Sequence, residues 1–171
     1  MDRAFARQGF GTVVTGTALG GRLGDGALVH LLPTDQTARV RGIQSHGDAA
    51  ETALAGRRIA LNLSGVEVAQ VPRGTVVSDR RVPCTPMVDV MYRHLPGAPD
   101  LGDGDPVRLL SGTAEVLGRI HLAVDSDHLS GGEEVPAQLR LETAHWSTAC
   151  KPGCPLTKSR TAFQNGLPCQ R

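Results

Sequence analysis

Lysine is missing from the first 150 residues of this 171-residue chain, whose two lysines are Lys151 and Lys158. A loop that cradles nucleotide phosphates follows the pattern Gly-x-x-x-x-Gly-Lys-Ser/Thr, with the lysine reaching the β- and γ-phosphates. That chemistry is excluded over residues 1–150, and neither Asp-x-x-Gly nor Asn-Lys-x-Asp occurs anywhere in the chain. Aromatic residues are scarce at 3%, so any core rests on Val, Leu, Ile and Ala. No apolar run approaches the ~18 residues that a membrane-spanning helix needs. Met1-Asp2-Arg3 does not open a cationic region followed by an apolar one, so no secretory leader is read there and a cytoplasmic location is expected. Cysteines number four, and Cys84 stands alone while Cys150, Cys154 and Cys169 crowd the end. The six histidines are scattered, and no metal site is expected. Tetrahedral zinc wants four ligands, and the late thiols supply three, with His145 the nearest fourth.

Glycine and proline, by contrast, are plentiful, at 21 and 11 residues. They break the chain into short β-type runs. Thr12 to Thr17 is β-branched apart from Gly16, which suits a pleated, half-buried surface. A glycine inside such a run marks a bulge, a barrel corner or a close backbone approach. Gly20-Gly21 predicts a hairpin turn after that strand, and Gly24-Asp25-Gly26 a second turn leading into Ala27 to Leu32. Ala38 to Gln44 alternates small or apolar with polar residues, the period of a strand with one buried face. Arg58 to Leu63 and Thr75 to Ser78 add strands, and Val66 to Val71 suggests one helical turn. Many short strands without long helices predict a closed or nearly closed antiparallel barrel.

A second β set follows. Met87 to Tyr92 alternates, His94 to Asp105 reads as loop, and Val107 to Gly112 and Thr113 to Leu122 read as strands. Leu129 to Glu134 reads as a turn and Val135 to Leu141 as a further strand. Charge divides the chain in the same way. Residues 1–80, 81–142 and 143–171 carry +2, −5 and +4, which gives the net +1. Segments this different suit separate modules. The net charge itself predicts no nucleic-acid partner.

Several of these pieces together resemble one family. Asp2-Arg3-Ala4-Phe5 followed by Gly9-Phe10-Gly11-Thr12-Val13-Val14-Thr15-Gly16-Thr17 is similar to the start of the second domain of translational GTPases. Val40-Arg41-Gly42-Ile43-Gln44 and Ala55-Gly56-Arg57-Arg58-Ile59-Ala60-Leu61-Asn62-Leu63-Ser64-Gly65 resemble the selenocysteine-specific elongation factors, the SelB family. The resemblance implies an all-β chain. Residues 1–80 are expected to form a second-domain-like β-barrel, 81–86 a linker, 87–142 an incomplete third-domain-like barrel, and 143–171 an atypical tail, disordered or frame-shifted. It also implies that the GTPase domain, with its GTP and Mg2+, belongs to the intact family protein and not to this chain. No cofactor is expected here, and no catalysis.

Carried over residue by residue, the family's pocket for the charged 3′ end of the tRNA implies Asp2, Arg3 and Arg58 as its members. The selenocysteine side chain is a selenolate at neutral pH, and arginine offers fixed charge in a rigid fork of donors. Arg3 and Arg58 are expected as selenolate partners, with Asp2 orienting them or meeting the aminoacyl group. Arg39, Arg41 and Arg57 are candidates for RNA backbone contact, since phosphates need only positive groups in register. Arg57, next to Arg58, is expected on the opposite face. The expected partner is selenocysteinyl-tRNA, with the ribosome a partner of the intact family protein. The alternatives are a fragment of another translational GTPase, of the elongation factor Tu or initiation factor 2 type, and a non-functional product of a disrupted gene.

Overall fold

β-branched and small residues punctuated by glycine leave little choice but short strands, and the computed structural model is antiparallel β throughout. It describes residues 1–123, 128, 129, 131–146 and 162–165, and no α-helix occurs among them. The chain forms two units, one ending at Val82 and the other beginning at Pro83.

The first unit holds β1 (Arg3–Arg7), β2 (Gly11–Thr17), β3 (Arg22–Gly24), β4 (Leu28–Leu32), β5 (Gln36–Ser45), β6 (Asp48–Ala50), β7 (Thr52–Leu54), β8 (Arg58–Ser64) and β9 (Val76–Ser78). Its main sheet runs β1-β2-β8-β5-β4-β9, with β6 on β5, while β3 pairs with β7. Alternation buries Val14, Val29, Leu31, Val40, Leu61 and Leu63 on one face. The outermost strands are brought together by Met1. Its nitrogen donates to the Thr75 carbonyl at 3.1 Å, and its carbonyl accepts from the Gly74 N–H at 3.2 Å. The single turn of helix falls at Val68–Gln70, inside the stretch that suggested one, and is a 3-10 turn.

Two local expectations are corrected. The hairpin is not β2 to β3 across Gly20-Gly21. β2 turns back on β1 through Gln8-Gly9-Phe10, with Gly9 at φ +79, and its other edge is taken by β8. β8 offers seven residues to pair, whereas β3 has three. The strict alternation of Ala38 to Gln44 also fails at Arg41. The register with β8 slips between Val40 and Gly42, so Arg41 is an extra residue and the buried positions run Ala38, Val40, Ile43. A bulge of this kind swaps the faces on either side of it.

The second unit holds β10 (Cys84–Arg93), β11 (Leu101–Gly102), β12 (Pro106–Ser111), β13 (Ala114–Leu122), β14 (His128–Leu129), β15 (Glu134–Trp146) and β16 (Ala162–Asn165). The sheet order is β10-β15-β13-β12-β16, and β11 pairs with β14. Tyr92, Leu101, Leu109, Ile120, Leu139 and Leu141 form its core. Here too the strands exceed the sequence reading. β10 starts at Cys84, inside the stretch read as linker, and β15 runs on past Glu142 to Trp146. β11 lies within the stretch read wholly as loop, and β14 takes in Leu129, which was read as turn. Such two-residue pairings are too short to show a period. Within the stretch read as an atypical tail, β16 pairs with β12, from Val107↔Asn165 to Leu110↔Ala162. Residues 147–161 and 166–171 of that stretch, with Cys150, Cys154 and Cys169, lie outside the described residues.

Candidate anion-binding face

The face that carries the family residues is set by three neighbouring strands. Cross-strand partners share a face, and residues two apart along a strand do so as well. Arg3 pairs with Thr15, Thr15 with Ala60, and Thr17 with Arg58. Thr12, Val14, Leu61 and Leu63 take the buried side of these strands, which leaves Arg3, Thr15, Thr17 and Arg58 on the outer side. The two arginines therefore flank β2 on one exposed face, offset by two residues along it, with Thr15 and Thr17 between them.

Asp2 joins them from the end of the sheet. Its N–H donates at 2.7 Å to the carbonyl of Thr15, the residue that Arg3 already faces across the β1–β2 pair. Its carboxylate makes an ion pair with the Arg58 guanidinium. The Arg58 side chain is 59% exposed and that of Asp2 23%. A pair this open to water contributes only about 0–1 kcal/mol to stability. Its consequence is positional, because the carboxylate stands at one nitrogen of the guanidinium and biases where the side chain rests. Arg3 is exposed and pairs with no acid among the described residues. The α-ammonium of Met1 lies close by. Burial pushes it below its ordinary value, Asp2 works against that shift, and Arg58 adds to it.

The three arginines expected at an RNA backbone are not one group. Arg57 lies in the turn before β8, exposed, with its carbonyl accepting from the Ala18 N–H at 3.0 Å. The strand parity that would oppose it to Arg58 does not reach a turn. Arg39 is also exposed but is tied down, donating to the Gly26 carbonyl at 2.9 Å. Arg41, on the bulge, lines a groove of about 490 Å3 with Phe10, Leu63, Gly65, Val66 and Glu67. That groove sits where β1 ends and β2 begins, at the opposite end of the strands from Arg58. The guanidinium carbon of Arg7 stands over the ring of Phe10, one of the lining residues, 4.8 Å from its centre. Thr15 and Thr17 were missed by motif reasoning. Only the β2–β8 register shows them between the arginines, and pairing partners are not written in a strand's own sequence.

In comparisons with known proteins, no protein-family model matches the chain. It is 39% identical over 143 residues to a selenocysteine-specific elongation factor of Desulfomicrobium baculatum, covering 82% of this chain and 22% of that protein. It is 37% identical over 128 residues to the selenocysteine-specific elongation factor of Escherichia coli K12, covering 74% of this chain and 20% of the relative. Its fold aligns with a crystal structure of a bacterial selenocysteine-specific elongation factor at TM-score 0.71 and 29% identity, over 86% of this chain and 23% of the other. The chain thus spans about a fifth of the length of the relatives it matches.

Proposed function

We propose that this chain, homologous to selenocysteine-specific elongation factors over about a fifth of their length, is the part of such a factor that receives the aminoacyl end of selenocysteinyl-tRNA. The observation that carries the reading is the shared face: two arginines flanking β2, one of them oriented by Asp2 and the other free of any acid among the described residues. One cation held in place and one unneutralised cation suit an anionic selenolate. A seryl side chain in the same position is neutral and has no use for the second charge. The hydroxyls of Thr15 and Thr17 offer donors and acceptors to the ester and amine of the aminoacyl group.

Nucleotide chemistry is assigned to another part of the intact factor, since residues 1–150 hold no lysine for a phosphate loop. The recoding of a codon, the ribosome contact and GTP hydrolysis belong in this reading to the whole protein. The chain itself is a binding module and not an enzyme.

The test is an equilibrium titration with selenocysteinyl-tRNA and seryl-tRNA of the same tRNA body, with and without GTP. The chain is expected to prefer the selenocysteinyl form weakly and without regard to GTP. Arg58→Ala is expected to remove that preference. In a full-length factor carrying these residues it should lower selenocysteinyl over seryl binding by roughly 1.5–3 kcal/mol, the size of a charge-assisted hydrogen bond. Equal losses for both tRNAs would remove the selenolate role, and tight GTP-dependent selection by this chain alone would overturn the division of labour.

A further inference from the structure

Gly16 interrupts an otherwise β-branched strand, and the space above it is occupied. A Cβ built there stands 3.1 Å from the Met1 Cα and 3.7 Å from its nitrogen. The approached backbone has little freedom to retreat. Met1 is bonded through its nitrogen to Thr75 and through its carbonyl to Gly74, and Asp2 is bonded through its N–H to Thr15. The Met1–Asp2 backbone is thus a strap, pinned between β2 on one side and the chain leading into β9 on the other. Its next atoms are the Asp2 side chain that orients Arg58.

We propose that Gly16 is a positioning residue for the anion-binding face. The absence of a side chain at this one position lets the strap lie against β2 and holds the Asp2 carboxylate at the Arg58 guanidinium. This rests on the reading of that face given above and extends it to a residue that touches no ligand. Gly16 does not have the positive φ that would exclude an L side chain, so a methyl group there tests space alone. Gly42 is the matched control, a strand glycine in the same unit whose added Cβ meets only the Asn62 Cβ at 4.0 Å, an ordinary contact.

The experiment uses the whole chain under reducing conditions. Selenocysteine methyl ester and serine methyl ester serve as small mimics of the aminoacyl end, and binding is followed by NMR shifts of the Arg3 and Arg58 side-chain N–H groups. Gly42→Ala should keep the wild-type preference for the selenolate ester. Arg58→Ala should abolish it. Gly16→Ala should lower it about threefold or more, as a partly lost charge-assisted contact does, and should shift the free Arg58 signal before any ester is added. Asp2→Glu on the Gly16→Ala background should restore part of the preference, because a longer side chain regains the reach. A Gly16→Ala chain that keeps both the wild-type Arg58 signal and the wild-type preference overturns the positioning role, while loss in Arg58→Ala leaves the anion-binding reading standing. An Arg58→Ala chain that still prefers the selenolate ester overturns that reading itself. If Gly16→Ala does not fold, removal of residues 1 and 2 should rescue its folding. Failure of that rescue places the clash elsewhere and sinks the proposal.

Discussion

The Asp2 carboxylate meets the Arg58 guanidinium over the end of β2, joining the residue ahead of β1 to the first residue of β8. Because Arg58 is mostly exposed, breaking the pair should barely affect folding. Asp2→Ala and Arg58→Ala are each expected to change the unfolding free energy of the first unit by no more than about 1 kcal/mol. Denaturant titration by circular dichroism checks this. A loss of several kcal/mol in either variant would make the pair a structural one and weaken its assignment to a ligand.

Arg41, on the bulge at the groove, and Arg57, in a turn, are both exposed, whereas Arg39 is exposed and also holds the Gly26 carbonyl. If they meet RNA phosphates, Arg41→Ala and Arg57→Ala should each reduce the salt slope of tRNA binding by about one and leave stability unchanged. Arg39→Ala should also cost about 1 kcal/mol of stability through the lost hydrogen bond. Titrations at a series of salt concentrations, beside melting curves, separate the three.

The two hydrophobic clusters share no member. Leu31→Ala, at a fully buried position of the first cluster, should cost about 2–5 kcal/mol and lower only that unit's transition in calorimetry. Leu139→Ala should do the same for the second unit alone. A single transition moved equally by both variants contradicts independent cores.

His145 is buried near the end of β15, and burial holds its imidazole below the ordinary value of 6.5. Its folded form therefore favours the neutral ring, while the unfolded chain takes up a proton near 6.5. The sign follows: this stabilisation is complete above that value and is lost as the pH falls below it. The second unit should be less stable at pH 5 than at pH 8, and His145→Gln should flatten that dependence. Chemical denaturation across this range measures both, and an unchanged slope in the variant rules His145 out as the cause.

Much of the fold was legible because its signals are local. The strands β4, β8 and β13, the alternation of β10, and the turn at Val68–Gln70 all follow from residues close in sequence. What escaped depended on partners. The β1–β2 hairpin displaced the one expected at Gly20-Gly21 because β8 competes for the other edge of β2. The bulge at Arg41 exists only relative to the β8 register. The two-residue pairing of β11 with β14 links segments too short to carry a period, and β16 is defined by the edge of β12 that it joins. Family motifs singled out Asp2, Arg3 and Arg58, and the sheet register puts the two arginines on one face. The threonines between the arginines, and the strap seated over Gly16, needed the folded sheet.

The most direct measurement is an NMR footprint on the isotope-labelled chain titrated with selenocysteinyl-tRNA and, separately, with seryl-tRNA. Shifts are expected to concentrate at Arg3, Thr15, Thr17 and Arg58, and to be larger and saturate earlier with the selenocysteinyl form. A footprint that leaves this face unperturbed, or one identical for the two aminoacyl groups, contradicts its proposed role.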